Sequence, residues 1–133
     1  MGISKGSIFI YLVIKYLVFF IILAFIDNRF NELVFNKSDN FASLFQNTIG
    51  YSLWIVVFSF FLSVIFFIPV FLICKIKNVF VFILLSSLVI SLEYFVYVYF
   101  TSVEYWYDKN GVINFLVSIL FFVFLFFRRH VVK

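Results

Sequence analysis

The chain has 133 residues, of which 66% are hydrophobic and 12% are charged, and 24 of them are phenylalanine. A soluble domain of this length has too small an interior to bury so much apolar surface, so the composition excludes the soluble classes and indicates an integral membrane protein. The net charge of +4 comes from basic residues that flank the apolar runs and does not indicate nucleic-acid binding.

Four apolar runs follow one another along the chain, at about residues 7–26, 49–73, 79–100 and 111–127. Crossing a hydrocarbon core about 30 Å thick takes roughly 20 helical residues, which each run supplies or approaches. None of the runs alternates polar and apolar residues, as the strands of a membrane barrel do. We therefore predict an all-α integral membrane fold, a four-transmembrane-helix bundle that forms a single membrane domain over residues 1–133.

The positions of lysine and arginine predict how the bundle is oriented. The N-terminal segment, the connection between the second and third runs, and the C-terminal tail contain Lys5, Lys75, Lys77, Arg128 and Arg129. Because short cytoplasmic segments are enriched in basic residues, we expect both termini to lie in the cytoplasm. The abundance of Phe, Ile, Asn and Lys is typical of an AT-rich bacterial genome, which favours a location in the bacterial inner membrane.

The connection between the first two runs, residues 27–48, is the longest and can have structure of its own. Apolar residues spaced i, i+3, i+4 occur at 30–34 and again at 41–45, and residues 38–40 include N-cap candidates. The pattern predicts two short helices that lie flat at the outer membrane interface. A docking surface for a partner, or a lid over a pore, is the functional alternative for the same segment.

Polar side chains form a stripe on each predicted span. They are Tyr11 and Lys15 in the first span, Ser52, Ser59 and Ser63 in the second, Ser86, Glu93 and Tyr97 in the third, and Asn114 and Ser118 in the fourth. Because lipid penalises exposed polar groups, we expect all four stripes to face the interior of the bundle. In this interpretation the serines and the asparagine of the second and fourth spans are helix-packing residues.

Glu93 and Lys15 are the charged members of these stripes. A carboxylate near the bilayer centre costs several kcal/mol, so Glu93 must be neutralised, paired or hydrated. Lys15 and Glu93 lie at different depths in the membrane, and a lysine side chain is long enough to span most of that difference. However, side chains on both helices lean toward the cytoplasmic end, which draws Lys15 away from Glu93. A direct pair with Lys15, and hydrogen bonds from Tyr11 or Tyr97, are therefore both open.

The residue inventory offers no recognisable catalytic constellation. His130 is the single histidine and Cys74 the single cysteine, and the two are far apart in sequence, with no glycine-rich nucleotide-binding motif elsewhere. We therefore expect neither an enzyme nor a cofactor or metal site.

Three functions are compatible with these features. The leading prediction is a non-enzymatic subunit or accessory of a membrane complex, whose partners are the lipid bilayer and either further copies of the chain or a larger membrane complex. The first alternative is an oligomeric ion or proton channel or transporter, including a membrane-depolarising effector, with Glu93 in the pathway. The second alternative is a membrane sensor that uses the first outer connection and the basic tail.

Overall fold

The computed structural model describes residues 4–26, 28–101 and 109–130. Within these residues the regular structure is entirely helical, and no strand occurs. The long helices are α1 (Lys5–Ile26), α2 (Phe41–Cys74), α3 (Val79–Thr101) and α4 (Lys109–His130). All four of these helices are long and apolar enough to cross a membrane. The prediction of an all-helical chain with four such helices is thus confirmed.

Helix α2 begins eight residues earlier than the sequence predicts and includes the segment expected to form a separate helix at 41–45. The start is fixed by a capping box, in which the Asn40 side chain accepts from the backbone N–H of Ser43 at 2.8 Å and the Ser43 hydroxyl accepts from that of Asn40 at 3.0 Å. From this cap the helix continues through Pro69 to Cys74, so its 34 residues extend about 51 Å, well beyond a 30 Å hydrocarbon core.

The connection between α1 and α2 contains a short π-helix, Asn31–Phe35, in the region of the first predicted short helix. Asn28 precedes it with a backbone φ of 55°, a left-handed conformation that asparagine adopts more readily than most residues. Val34 is completely buried, which anchors the π-helix against the bundle. The connection is therefore folded back on the helices that it joins.

Helix α1 is the centre of the bundle. Its fully buried residues recur every three or four positions, as expected for a single helical face. They are Ile8, Leu12, Tyr16, Phe19 and Leu23. This face packs against α2 and α4, and α3 packs against α4 and α2. Most large apolar side chains of α2 and α3 are exposed on the outside of the bundle, the arrangement expected of helices whose solvent is lipid.

Two of the three predicted packing serines of α2 lie in the helix interface. Ser59 and Ser63 have no exposed surface, and the Ser63 hydroxyl donates to the carbonyl oxygen of Ser59 at 2.6 Å. Ser52 is exposed, so the prediction that it faces the interior is wrong. Its hydroxyl donates to the carbonyl oxygen of Thr48 at 2.8 Å, and this bond within its own helix lets it face outward at little cost.

Replacing Ser59 by Leu is expected to destabilise the bundle by about 1–3 kcal/mol, because the added side chain has no space in the α2 interface. Replacing Phe58 by Leu is the matched control. Phe58 is 41% exposed and contributes less to the interior, so its loss should have a smaller effect. Unfolding of both variants in mixed detergent micelles measures the difference in free energy, and equal effects would contradict the packing role of Ser59.

Candidate functional site

The most polar site in the interior is an ion pair between α1 and α3. Glu93 is 3% exposed and Lys15 is 4% exposed. The Lys15 Nζ donates to both carboxylate oxygens of Glu93, at 2.7 Å to Oε1 and 2.5 Å to Oε2. The direct pair, one of the alternatives that the sequence left open, is therefore the arrangement in the structure.

Two further donors complete the coordination of the Glu93 carboxylate. The Tyr16 hydroxyl donates to Oε1 at 2.7 Å, and the Ser118 hydroxyl of α4 donates to Oε2 at 3.0 Å. The Lys15 Nζ also lies 4.8 Å from the centroid of the Tyr16 ring, within the range of a cation–π contact. Each oxygen thus accepts two hydrogen bonds, and the site links α1, α3 and α4.

Tyr16, which was not among the predicted donors, supplies a tyrosine hydroxyl to Glu93, whereas the predicted donor Tyr11 lines the neighbouring cavity. Helical spacing places Tyr11 and Lys15 on one face of α1, and Tyr16 is rotated by about 100° from Lys15 around the helix axis. For this reason Tyr16 was not predicted to contact Glu93. Both Lys15 and Tyr16 have long side chains, so adjacent positions can reach one carboxylate from two directions. The length of these two side chains is the feature of the sequence from which Tyr16 could have been predicted as a donor to Glu93.

The other predicted site residues lie on two sides of the ion pair. Tyr11, Ser86 and Ser118 line a small cavity beside Lys15 and Glu93, with a volume of about 40 Å³. That volume is large enough for a water molecule, and the lining offers the polar partners that a buried water needs. The cavity is lined by residues of all four long helices and lies toward the end of the bundle that contains Cys74.

On the opposite side of Glu93 is a larger cleft of about 410 Å³, which Tyr97 and Asn114 help to line. The Tyr97 ring packs edge-on against the Phe19 ring, with 5.2 Å between centroids. Asn114 is 3% exposed, and its Oδ1 has no hydrogen-bond partner in the structure. The structure therefore gathers the predicted polar residues of α1, α3 and α4 around Glu93, whereas Ser52, Ser59 and Ser63 lie elsewhere on α2.

The electrostatics of the site favour a closed, neutral unit. Transferring either charge alone into the interior would cost several kcal/mol, and only a well-coordinated partner offsets that cost. Four hydrogen bonds to the Glu93 carboxylate provide this coordination. The arrangement joins α1, α3 and α4 through a charged, hydrogen-bonded contact in a mainly apolar interior.

Comparisons with known proteins add no functional assignment: no family model, no curated protein and no solved structure matches this chain. Within the described residues, no group of three or more His, Cys, Asp or Glu side chains could hold a metal ion. The features of this protein that bear on its function are therefore the geometry of the Glu93 site and the surfaces around it.

Proposed function

We propose that this protein is a non-enzymatic subunit or accessory of a membrane complex, which acts by assembling with copies of itself or with another membrane protein. The observation that carries the proposal is the closed coordination of Glu93. Both of its oxygens are occupied by donors from α1 and α4, so the charge stabilises the bundle and is not presented to a substrate.

The outer faces of α2 and α3 support this proposal. Their exposed side chains include Phe60, Leu72, Phe80, Leu92 and Tyr99. Such faces suit lipid, and they equally suit the helices of a second membrane protein, because van der Waals packing drives helix association in a bilayer. With nearly the whole described chain in four apolar helices, these faces are the surface through which a small subunit would act.

The proposed location is the bacterial inner membrane, with both termini in the cytoplasm and the connection between the first two spans, residues 27–48, on the outer side. In a Cys74→Ser background, a cysteine at Ser38 should react with an impermeant maleimide in intact cells, because Ser38 lies in the α1–α2 connection. A cysteine at Lys77, between α2 and α3, should react only after the membrane is permeabilised. The reverse pattern of labelling would invert this topology.

The assembly is tested by native mass spectrometry of the protein extracted from its own membrane. We expect a homo-oligomer of defined size or a stoichiometric complex with a second membrane protein. Phe80→Ser and Leu92→Ser place a polar group on the outer face of α3 and should weaken the complex if α3 forms the contact. A protein that is monomeric at all concentrations in a native-like bilayer would contradict the proposal.

Proton-linked transport is the second candidate, and one specific observation favours it. Glu93 lies between two cavities, the small one that reaches toward Cys74 and the larger cleft that reaches Arg29. A carboxylate between two such spaces could exchange protons with both sides if the ion pair opened. In liposomes, proton or cation flux that is lost in Glu93→Gln, in preparations where this variant folds and assembles as the wild type does, but retained in the exposed control Glu32→Gln would favour transport over the subunit role.

A further inference from the structure

A polar groove lies at the end of the bundle where the α1–α2 connection meets α2. It has a volume of about 590 Å³ and is lined by two cationic side chains, Arg29 and Lys37, and two amide side chains, Gln46 and Asn47. Gly50 forms part of its wall, and open space lies where a side chain at that position would be. The charge and the hydrogen-bonding groups of this groove are complementary to an anion.

The large cleft beside Glu93 continues from this groove. Arg29 and Trp54 line both spaces, so the polar groove and the apolar cleft meet at these two side chains. Below them the walls are mainly apolar and aromatic, with Glu93 and Asn114 as the polar exceptions. Phe61, Ile65 and Val96 form part of the rim and are 60%, 49% and 43% exposed. The cleft is therefore accessible from the side of the bundle, where hydrocarbon chains of the bilayer would be.

The length of the cleft matches one leaflet. Trp54 and Phe66 mark its extent along α2, and twelve residues of helix correspond to about 18 Å. Half of a 30 Å hydrocarbon core is about 15 Å. Trp54 would then lie near the head-group level, the depth that tryptophan prefers in membranes.

We propose that the groove and the cleft together bind one anionic phospholipid, with its phosphate beside Arg29 and Lys37 and an acyl chain in the cleft. A soluble phosphate would leave the apolar cleft empty, and a neutral hydrocarbon would not use the two cations. Each space lies within the size range typical of ligand sites. An amphiphile with a negative head and an apolar chain is complementary to both spaces at once.

Trp54 is a reporter at the junction of the two spaces. With Trp106→Phe, Trp54 is the single tryptophan of the full-length chain. The protein is placed in phosphatidylcholine vesicles containing a small fraction of either dibrominated phosphatidylglycerol or dibrominated phosphatidylcholine, whose chains quench tryptophan on contact. We expect brominated phosphatidylglycerol to give half-maximal quenching of Trp54 at a lower mole fraction than brominated phosphatidylcholine. The two mole fractions should differ by about fivefold for each cation that contacts the head group.

The charge requirement is tested by Arg29→Gln combined with Lys37→Gln, which should abolish the preference for the anionic lipid. The matched control is Lys5→Gln with Lys75→Gln, which removes two cations that lie over the Phe71 ring outside both spaces. This control should keep the preference. A preference that survives in the first pair, or is lost equally in both pairs, would overturn the proposal.

Gly50→Leu tests the same site without changing any charge. The new side chain meets no atom within 4 Å of its Cβ, so the helix should fold normally while the groove is partly filled. Gly6→Leu in α1 is the control, since its Cβ also meets nothing within 4 Å. The preference should fall in Gly50→Leu and persist in Gly6→Leu. Equal quenching by the two lipids in the parent protein, or no change in Gly50→Leu, would also overturn the proposal.

Discussion

Replacing Lys15 by Met is expected to destabilise the folded bundle by about 3–5 kcal/mol, because the Glu93 carboxylate then stays buried without its counter-charge. Glu93→Gln should have a comparable effect. It leaves the Lys15 ammonium unpaired, and the amide that replaces one carboxylate oxygen donates where Lys15 also donates. Both variants are measured by the free energy of unfolding in mixed detergent micelles.

The double variant Lys15→Met with Glu93→Gln separates an ion pair from two independent polar contacts. Since no unpaired charge remains in it, we expect it to recover most of the stability that each single variant loses. Lys37→Met, at an exposed position of the α1–α2 connection, is the control and should change stability by less than about 0.5 kcal/mol. Additive losses in the double variant would show that Lys15 and Glu93 do not stabilise each other.

Gly111→Ala is expected to destabilise the bundle by about 1–3 kcal/mol, because Gly111 of α4 lies in close contact with α3. A Cβ at Gly111 would lie 2.8 Å from Cγ2 of Val98 and 3.1 Å from Cε2 of Tyr94. The Tyr94 ring can turn aside, but Val98 is 1% exposed and its β-branched side chain has a single strongly preferred rotamer in a helix. The helices must therefore separate.

Gly50→Ala, in contrast, is expected to increase the stability of the bundle. A Cβ there meets no atom within 4 Å, so alanine should stabilise α2 by about 0.5–1 kcal/mol through its higher helix propensity. Adding Val98→Ala to Gly111→Ala should restore part of the loss, because it removes the contacting methyl group. Thermal unfolding in one detergent compares the four proteins, and destabilisation at both glycines would contradict the steric explanation.

The amino-acid sequence alone is enough to predict that the chain is helical and has four helices of membrane-spanning length. This could be predicted because the apolar content and the length of a run are local properties of the sequence. For example, the third span was predicted to start at residue 79, and α3 starts at Val79. The sequence also indicated that Glu93 needs a partner, since an isolated carboxylate in an apolar span has a prohibitive solvation cost. It further narrowed that partner to a small set of residues that included Lys15.

Which of these residues come into contact depends on how the helices pack against one another. Helical periodicity gives the face on which a side chain lies but not the height or rotation of the neighbouring helix, so it could not choose Tyr16 over Tyr11 as a donor to Glu93. The same limit explains Ser52, which shares a face with Ser59 on an ideal helix yet points outward. The close contact at Gly111 likewise depends on how α3 and α4 are placed, a relation between distant segments that local pattern does not contain.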